Sequence, residues 1–242
     1  MATLLLRLCG PMQSWGTQSR FSERDTDREP SKSGVIGLLC AALGRPRQEP
    51  VDDLAALVMG VRVDAEGHIE RDYHTAGGAR GDSVARASGG RSDNAVLSNR
   101  YYLADADFLV GLESDDEALL HTLETALREP TWQIFLGRKS FVPAVPVHLP
   151  GEGGFRDKAL VDALAGEPWP LLPDVEPTRR RSQDPIPRDL RLVIEDGAGE
   201  HLRMDQPLGA AFAARSFGPR RVRFETCAPH RRDDDVSEPI NP

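Results

Sequence analysis

Residues 137–140 (GRKS) combine within four positions the groups that suit a phosphate-bearing ligand. The glycine permits close approach of a backbone, Arg138 and Lys139 supply positive charge, and Ser140 supplies a hydroxyl. The segment follows a predicted helix and a tryptophan-containing turn, so we expect it to form a loop. These residues are therefore candidate nucleic-acid contacts, although a solvated turn has the same composition.

A second candidate anion site lies at residues 31–34 (SKSG), where a predicted helix begins. Lys32 and Ser33 would stand at the helix N-terminus, where free backbone N–H groups and the helix dipole favour an anion such as phosphate. The GxxxxGK[ST] pattern of nucleotide-triphosphate sites is absent from the chain. The segment indicates a phosphate contact, not a triphosphate-binding loop.

The segment 76–95 is rich in glycine, serine and arginine and has almost nothing to bury. Its composition predicts a mobile excursion between two strands. Such an arm can lie along a phosphate backbone while its guanidinium groups stack on unpaired bases. A solvated surface loop is the alternative. The candidate contacts are Arg80, Arg86, Arg91 and the nearby Arg100.

Two further candidates come from the loop that leaves the first predicted strand, residues 12–16 (MQSWG). Gln13 offers a hydrogen-bonding amide and Trp15 an aromatic surface. Trp15 either stacks on a base or closes the end of the sheet. The residue types alone leave both interpretations open.

Tyr73 and His74 are the candidates for catalysis. With Lys32 or Lys139 brought near by the fold, an imidazole and a phenol could move protons while an ammonium stabilises a phosphorane. That is the chemistry of a metal-independent ribonuclease. The alternative is that His74 contacts RNA or serves the structure.

Other chemistries lack their sequence signatures. The histidines show no HxxxH or HExxH spacing, no CxxC pair accompanies them, and GxSxG is missing, so we expect no metal or other cofactor. Three widely separated cysteines suit a reducing compartment. The first apolar run is broken by Arg7 and is too short for a signal peptide. These features predict a cytoplasmic protein.

The chain of 242 residues has a formal net charge of −8, which argues against nonspecific binding of nucleic acid. However, the last ten residues (DDDVSEPINP) contain acids and no bases, and arginines cluster within residues 179–191 and 215–232. Binding samples a local patch, whereas net charge averages over the whole surface. A local cationic groove is therefore compatible with the composition, and so is a module that binds acidic protein partners.

The elements that must position these residues begin a βαββαβ order. Prolines crowd between residues 143 and 187, where little regular structure is expected. Residues 190–195 or 220–224 can supply a closing strand. The predicted elements are a strand at 3–9, a helix that begins near Ser31 or Ser33 and ends at Gly44, a hairpin of 61–63 with 68–75, strands within 101–112, and a helix at 115–127.

Four blocks in this order resemble the CRISPR-associated RAMP proteins, and among them the branch that holds the 5′ end of the guide RNA in type I-E Cascade complexes. The resemblance covers residues 1–150 well and is thinner from 150 to 232. The blocks are the N-terminal strand–loop–helix unit, RDYHT at 71–75, LSNRYYLADADFLVGL at 97–112 and FLGRKSFVPAVPV at 135–147.

The resemblance implies an α+β fold with a palm that is RRM-like, or ferredoxin-like. It further implies a Gly/Arg-rich β-hairpin thumb, an irregular C-terminal region packed on the palm, and a disordered acidic tail. The boundaries that we expect are 1–75 with 96–150 for the palm, 76–95 for the thumb, 151–232 for the C-terminal region and 233–242 for the tail.

The resemblance also implies a function. The protein would be a non-catalytic subunit of Cascade that binds the 5′ handle of the mature guide RNA (crRNA) and caps the backbone filament in antiviral defence. Its neighbours would be the CasC backbone subunit, the large subunit CasA and the other Cascade subunits, with target DNA engaged indirectly. Because a separate subunit cleaves repeat RNA in this branch, the resemblance implies no catalytic residue, and we interpret His74 as a structural or RNA-contacting residue. The alternative function is a metal-independent endoribonuclease that processes CRISPR repeat RNA.

Overall fold

The computed structural model describes residues 1–17, 22–78, 82–85, 89–169, 187–208, 213 and 216–230. Within these ranges the chain forms four helices and thirteen strands. The helices are α1 (Lys32–Leu43), α2 (Asp52–Ala55), α3 (Glu117–Arg128) and α4 (Leu160–Gly166). The strands are β1 (Ala2–Cys9), β2 (Met12–Gln13), β3 (Glu23–Arg24), β4 (Val58–Ala65), β5 (His68–Ala76), β6 (Val84–Ala85), β7 (Arg91–Ser92), β8 (Val96–Ala104), β9 (Asp107–Ser114), β10 (Phe155–Arg156), β11 (Leu190–Glu195), β12 (His201–Pro207) and β13 (Phe217–Cys227).

Seven strands form the main sheet in the order β10-β1-β9-β4-β11-β13-β12, with every neighbouring pair antiparallel. The first four of them have the strand order of a ferredoxin-like unit, in which α1 connects β1 to β4 and α3 follows β9. The α+β fold class predicted from the sequence is confirmed.

The central strands β1, β4 and β9 are buried on both faces of the sheet because they carry apolar residues on both. On β1, Leu4, Leu6 and Leu8 belong to the main core together with residues of α1 and α3. Leu5 points to the opposite face, where it packs in a second cluster with α4. Each fully buried leucine contributes about 1.5–3 kcal/mol relative to an exposed one. The two clusters therefore hold a helix layer on each side of the sheet.

Helix α1 begins and ends where the sequence predicts. The Ser31 hydroxyl caps it by accepting a hydrogen bond from the Gly34 backbone N–H at 3.3 Å. Gly44 ends it in the left-handed region, with a φ of 70°. A methyl group at Gly34 would come within 2.9 Å of the Trp15 ring, so a glycine is needed at that position.

The closing strand of the ferredoxin-like unit differs from the prediction. The position beside β1 is taken by the two-residue β10 (Phe155–Arg156), which pairs with Thr3 and Leu4. Residues 190–195 and 217–227 are both strands, but they extend the opposite edge beyond β4. Two residues are too short a run for sequence periodicity to mark as a strand.

The predicted hairpin of residues 61–63 with 68–75 is wrong. Gly67 turns the chain with a φ of 66°, and β5 then leaves the main sheet and pairs with β8 over nine residues. A side chain at Gly67 would collide with the Ala104 carbonyl, so the turn brings β5 directly against the end of β8. Strands β2 and β3 flank β8 in this second sheet, and β6 pairs with β7 within the excursion.

The C-terminal region adds three strands to the main sheet, namely β11, β12 and β13. Residues 170–186 and the acidic tail 233–242 lie outside the described residues, as do parts of the excursion. The domain boundaries therefore stay predictions. None of the helices in the described ranges is long and apolar enough to span a membrane.

Candidate nucleic-acid interface

Three arginines meet on one face of the second sheet. Strand β3 runs parallel to β8, and the register places Arg24 beside Arg100. Arg138 reaches the same strand from the GRKS turn, where its Nη2 donates a hydrogen bond to the Tyr101 carbonyl at 2.8 Å. Residues that are distant in the sequence thus form one group, which we call the arginine cluster (Arg24, Arg100, Arg138).

The positive charges of the arginine cluster repel one another, and this repulsion contributes to a lowered pKa of Arg138 and of Arg100. Partial burial lowers the pKa of the Arg138 guanidinium, and the nearby charges of Arg100 and Arg24 lower it further. The pKa of Arg100 is likewise lowered by burial and then by Arg24. Asp72 opposes both shifts, and Asp25 opposes that of Arg138. The cluster therefore holds positive charge that the surrounding acids do not fully offset.

Direct ion pairing does not relieve this repulsion. Among the described residues, no carboxylate lies within 4.0 Å of the guanidinium of Arg24, Arg100 or Arg138. The Nη1 atom of Arg138 is buried and has no hydrogen-bond partner within the same described set. An anion bound here would satisfy that donor and lower the electrostatic cost of the cluster.

His74 faces the arginine cluster along the sheet. The pairing of β5 with β8 sets Asp72 opposite Arg100 and His74 opposite Ser98, so these four side chains share one face. The Nδ1 atom of His74 lies 3.2 Å from a carboxylate oxygen of Asp72. His74 is thus oriented by a neighbour and is about 40% exposed, which leaves it available to a ligand.

The GRKS turn is held against the loop after β2. Gly137 has a φ of 91°, and a side chain there would overlap the carbonyl oxygen of Ser14, so only glycine fits. The guanidinium of Arg138 lies 5.3 Å from the centre of the Phe141 ring, which supports its position. Lys139 and Ser140 are exposed at the turn. The structure therefore brings His74, Arg100 and Arg138 together, with Lys139 and Ser140 following in the turn.

Gln13 and Trp15 are interior residues, which corrects the prediction that their side chains contact a ligand. The Gln13 amide donates to the carbonyls of Leu8 and Ala106 at 3.0 and 2.8 Å, and its oxygen accepts from the Trp15 ring nitrogen at 3.1 Å. Trp15 is only 1% exposed and belongs to the main core. Of the two interpretations of Trp15, the structure supports the one in which it closes the end of the sheet.

The predicted anion site at the start of α1 is already filled by the chain itself. A carboxylate oxygen of Asp205 accepts the hydrogen bond of the Lys32 backbone N–H at 2.7 Å. The Lys32 ammonium lies 2.9 Å from Glu195, and burial lowers its pKa. Lys32 is therefore neither a phosphate contact nor the ammonium of a ribonuclease centre. Ser33 is half-buried and lines a neighbouring cleft.

The excursion is described only in part. Arg91 is exposed and hydrogen-bonds to Ser83 across the β6–β7 pair. Arg80 and Arg86 lie outside the described residues, so their predicted contacts stay predictions.

Arg191, Arg203 and Arg220 of the C-terminal region are paired within the protein, whereas Arg188 is almost fully exposed and Arg221 hydrogen-bonds to a backbone carbonyl. Glu29 holds Arg191 and Arg203, whereas Asp205 holds Arg220. These side chains stabilise the attachment of β11, β12 and β13 and are not free to form a ligand groove. In this respect they differ from the arginine cluster on the second sheet, whose members have no ion-pair partner among the described residues.

Sequence reasoning missed Arg24. It lies in a polar loop whose only signal is composition, and its importance comes from the pairing of β3 with β8. Asp72 was visible beside His74, but its position opposite Arg100 depends on the register of β5 and β8. Within the described ranges, no group of three or more histidine, cysteine, aspartate or glutamate side chains could hold a metal ion.

Comparison with known proteins gives concordant matches. The model of the CRISPR-associated protein family Cas5 matches residues 3–223. The Cascade subunit CasD of Escherichia coli K12 is 37% identical over 162 residues, which cover 60% of this chain and 69% of that protein.

Two solved structures agree along nearly the full length. A crystal structure of a Cas protein has 44% sequence identity and a TM-score of 0.72, covering 94% of this chain and 98% of its own. A chain of a CRISPR RNA-guided surveillance complex has 33% identity and a TM-score of 0.70, covering 94% of this chain and 90% of its own. Because the family model matches most of its length, this chain belongs to the Cas5 family of CRISPR-associated proteins.

Proposed function

We propose that this chain is a non-catalytic subunit of a Cascade-type surveillance complex that binds the 5′ handle of the guide RNA and caps the backbone filament. The observation that carries the proposal is the arginine cluster, Arg24, Arg100 and Arg138, which has no ion-pair partner among the described residues. The relationship to CasD of E. coli and to a chain of an RNA-guided surveillance complex supports the choice of assembly.

The cluster fits a single-stranded RNA backbone better than a protein surface. Guanidinium groups bind phosphate through paired hydrogen bonds, and three of them on one sheet face match a run of phosphates. His74 and the exposed Lys139 extend this surface on either side of the cluster. Handle bases, freed from pairing, would then be read by stacking and by contacts to their edges.

The thumb continues the same surface. Strands β5 and β8 form a ribbon of nine paired residues, and residues 77–95 connect their ends. A ribbon that carries Arg100 at its middle and Arg91 in its connection can follow the RNA beyond the palm. We expect CasC and CasA to be the neighbouring subunits, and the protein to act in the cytoplasm.

RNA retention in the assembled complex tests the proposal. The complex is coexpressed with its CRISPR array, and the guide RNA that copurifies is quantified for the wild type and for the Arg24→Ala/Arg100→Ala/Arg138→Ala variant. We expect the triple variant to lose guide RNA while remaining folded. Full occupancy in that variant would contradict the proposal.

The alternative of an endoribonuclease has one observation in its favour, the pairing of His74 with Asp72 beside three cations. Incubating the wild-type protein and a His74→Ala variant with repeat RNA in the presence of a chelator separates the two functions. We expect intact RNA with both proteins. Cleavage by the wild type that disappears in His74→Ala would establish the nuclease instead.

A further inference from the structure

A cleft of about 430 Å³ lies between α1 and the segment that leads into the GRKS turn. Its volume is within the range of about 300–1,000 Å³ that is typical of small-ligand pockets. The cleft reaches the start of α1 at Ser31 and Ser33, but Lys32 and Asp205 of the buried ion-pair network do not line it. Its main lining residues are Ser33, Gly37, Ala41, Trp132, Phe135 and Gly137.

The wall opposite α1 is fixed at both ends. The Trp132 backbone N–H donates to the Ala41 carbonyl at 3.0 Å, which ties one end of the wall to the helix. The Ser14 N–H donates to the Leu136 carbonyl at 3.1 Å, which ties the other end to the loop after β2. The cleft is therefore preformed, and a ligand would not have to order it.

The floor of the cleft, by which we mean the surface of α1 at Gly37, carries no side chain. A glycine inside a helix is less stable than alanine, so it normally has a local reason. At Gly34 the reason is the Trp15 ring, which a methyl group would approach to 2.9 Å. At Gly37 an added methyl group would meet nothing within 4 Å. Packing among the described residues therefore does not account for Gly37, whereas a ligand that approaches the helix backbone closely would account for it.

The chemistry of the walls suits a flat ring with polar edges. Trp132 is 48% exposed and Phe135 is half-buried, so both present aromatic surface to the cleft. The Ser33 hydroxyl adds a hydrogen-bonding group. Arg47 is exposed among the lining residues, whereas Arg45 is held by Asp53 through bonds of 2.6 and 2.8 Å. These features match a nucleotide whose base lies in the cleft and whose phosphate lies outside it.

The cleft is continuous with the arginine cluster. Gly137 lines the cleft, and the next residue, Arg138, belongs to the cluster. Ser14 also lines the cleft, and its hydroxyl approaches the same Tyr101 carbonyl that accepts the Arg138 hydrogen bond. A nucleotide whose phosphate lies on the cluster can therefore turn its base towards the cleft.

We propose that this cleft binds one base of the RNA that does not stack on its neighbouring bases. The base would stack on the ring of Trp132 or Phe135 and lie over Gly37, where α1 carries no side chain. The proposal rests on the proposed function, since the cluster must first hold the RNA backbone. It assigns one base of the RNA to a defined place beside the arginine cluster that contacts the phosphates. A side chain of a partner subunit would be the competing occupant.

An abasic scan tests the site. The full chain is titrated with single-stranded RNA of the handle sequence, fluorescently labelled, in which one nucleotide at a time lacks its base. The wild type is compared with Trp132→Ala and with Gly37→Leu, which fills the floor. Phe224→Ala is the matched control, because Phe224 is a similarly exposed aromatic residue, 42% exposed, on β13. Thermal melting confirms that each variant is folded.

We expect one abasic position to weaken binding to the wild type by about tenfold, the scale of a lost base–aromatic stack. Trp132→Ala and Gly37→Leu should bind intact RNA about as weakly, with no further loss at that position, whereas Phe224→Ala should resemble the wild type. If Gly37→Leu does not fold, Gly37→Ala replaces it, since the added methyl group would meet nothing within 4 Å in the protein.

Three results would overturn the inference. If every abasic RNA binds the wild type like intact RNA while arginine-cluster variants lose affinity, the cleft takes no base, although the proposed function stands. If the wild type binds no RNA, alone or in the assembled complex, the proposed function and the inference fail together. A partner-subunit crosslink to Trp132, with all abasic RNAs equivalent, would assign the cleft to a protein.

Discussion

The carboxylate of Asp205 lies 2.7 Å from the backbone nitrogen of Lys32 and accepts its hydrogen bond at the start of α1. The same carboxylate receives two further hydrogen bonds from Arg220, at 3.0 and 2.8 Å. The helix N-terminus that would suit a phosphate thus already holds an anion from β12. An RNA phosphate would have to displace a buried, paired carboxylate, so the ligand surface must lie elsewhere.

Replacing Asp205 tests this structural role. Asp205→Asn removes the charge that compensates Arg220 and weakens the cap of α1, so we expect a loss of about 3 kcal/mol in the free energy of unfolding. Urea titration measures it. Asp196→Asn is the control, since Asp196 pairs with Arg223 at the surface, where an ion pair contributes little, and its loss should be clearly smaller. Equal losses in the two variants would contradict the buried role of Asp205.

Lys32 provides a second test of the same site. In Lys32→Met the ammonium is removed, and Glu195 keeps Arg220 as a neighbour at 3.7 Å. We expect unchanged RNA affinity, because the side chain is 2% exposed and faces Glu195. Anisotropy titration with handle RNA measures the affinity, and melting shows whether the variant is folded. A folded Lys32→Met protein with clearly weaker RNA binding would restore Lys32 as a contact.

The arginine cluster makes a quantitative prediction about salt. Each phosphate contact on single-stranded nucleic acid contributes about 0.7 to the slope of log affinity against log salt concentration. Arg24→Ala, Arg100→Ala and Arg138→Ala should each lower the magnitude of that slope by about this amount. Titrations at several salt concentrations measure it. Arg223→Ala, which removes an arginine paired with Asp196, should leave the slope unchanged.

Gly137 links the turn to the loop after β2. In Gly137→Ala the methyl group would overlap the Ser14 carbonyl at a φ of 91°, so the turn must move and Arg138 with it. We expect a stability loss of about 1–3 kcal/mol and weaker RNA binding. Gly151→Ala is the control, since Gly151 also has a positive φ, 66°, but open space around it. If both variants bind RNA equally well, the turn does not position Arg138.

Local signals in the sequence predicted the strand–helix unit at the N-terminus and its caps. The Ser31 cap and the Gly44 terminus depend on residues within a few positions of one another, so composition and spacing suffice. The pairing of β5 with β8 and the short β10 depend on contacts between distant residues, and periodicity does not encode them.

The composition of the candidate site likewise depends on contacts between residues that are distant in the sequence. Arg203 and Arg24 look alike in the sequence, but Arg203 is held by Glu29 across 174 positions, whereas Arg24 lies beside Arg100. Whether an arginine is paired or free is decided by the fold. Composition therefore pointed to clusters of arginines in the C-terminal region, whereas the described residues place a group of three arginines without an ion-pair partner on the second sheet.

In the proposed function, RNA lies across the second sheet and the GRKS turn. Ultraviolet crosslinking of the assembled complex, followed by mass spectrometry of the nucleotide-bearing peptides, locates the RNA on the protein. We expect adducts on β5, β8 and the segment 131–141. Adducts confined to β12 and β13, with none on those three segments, would contradict it.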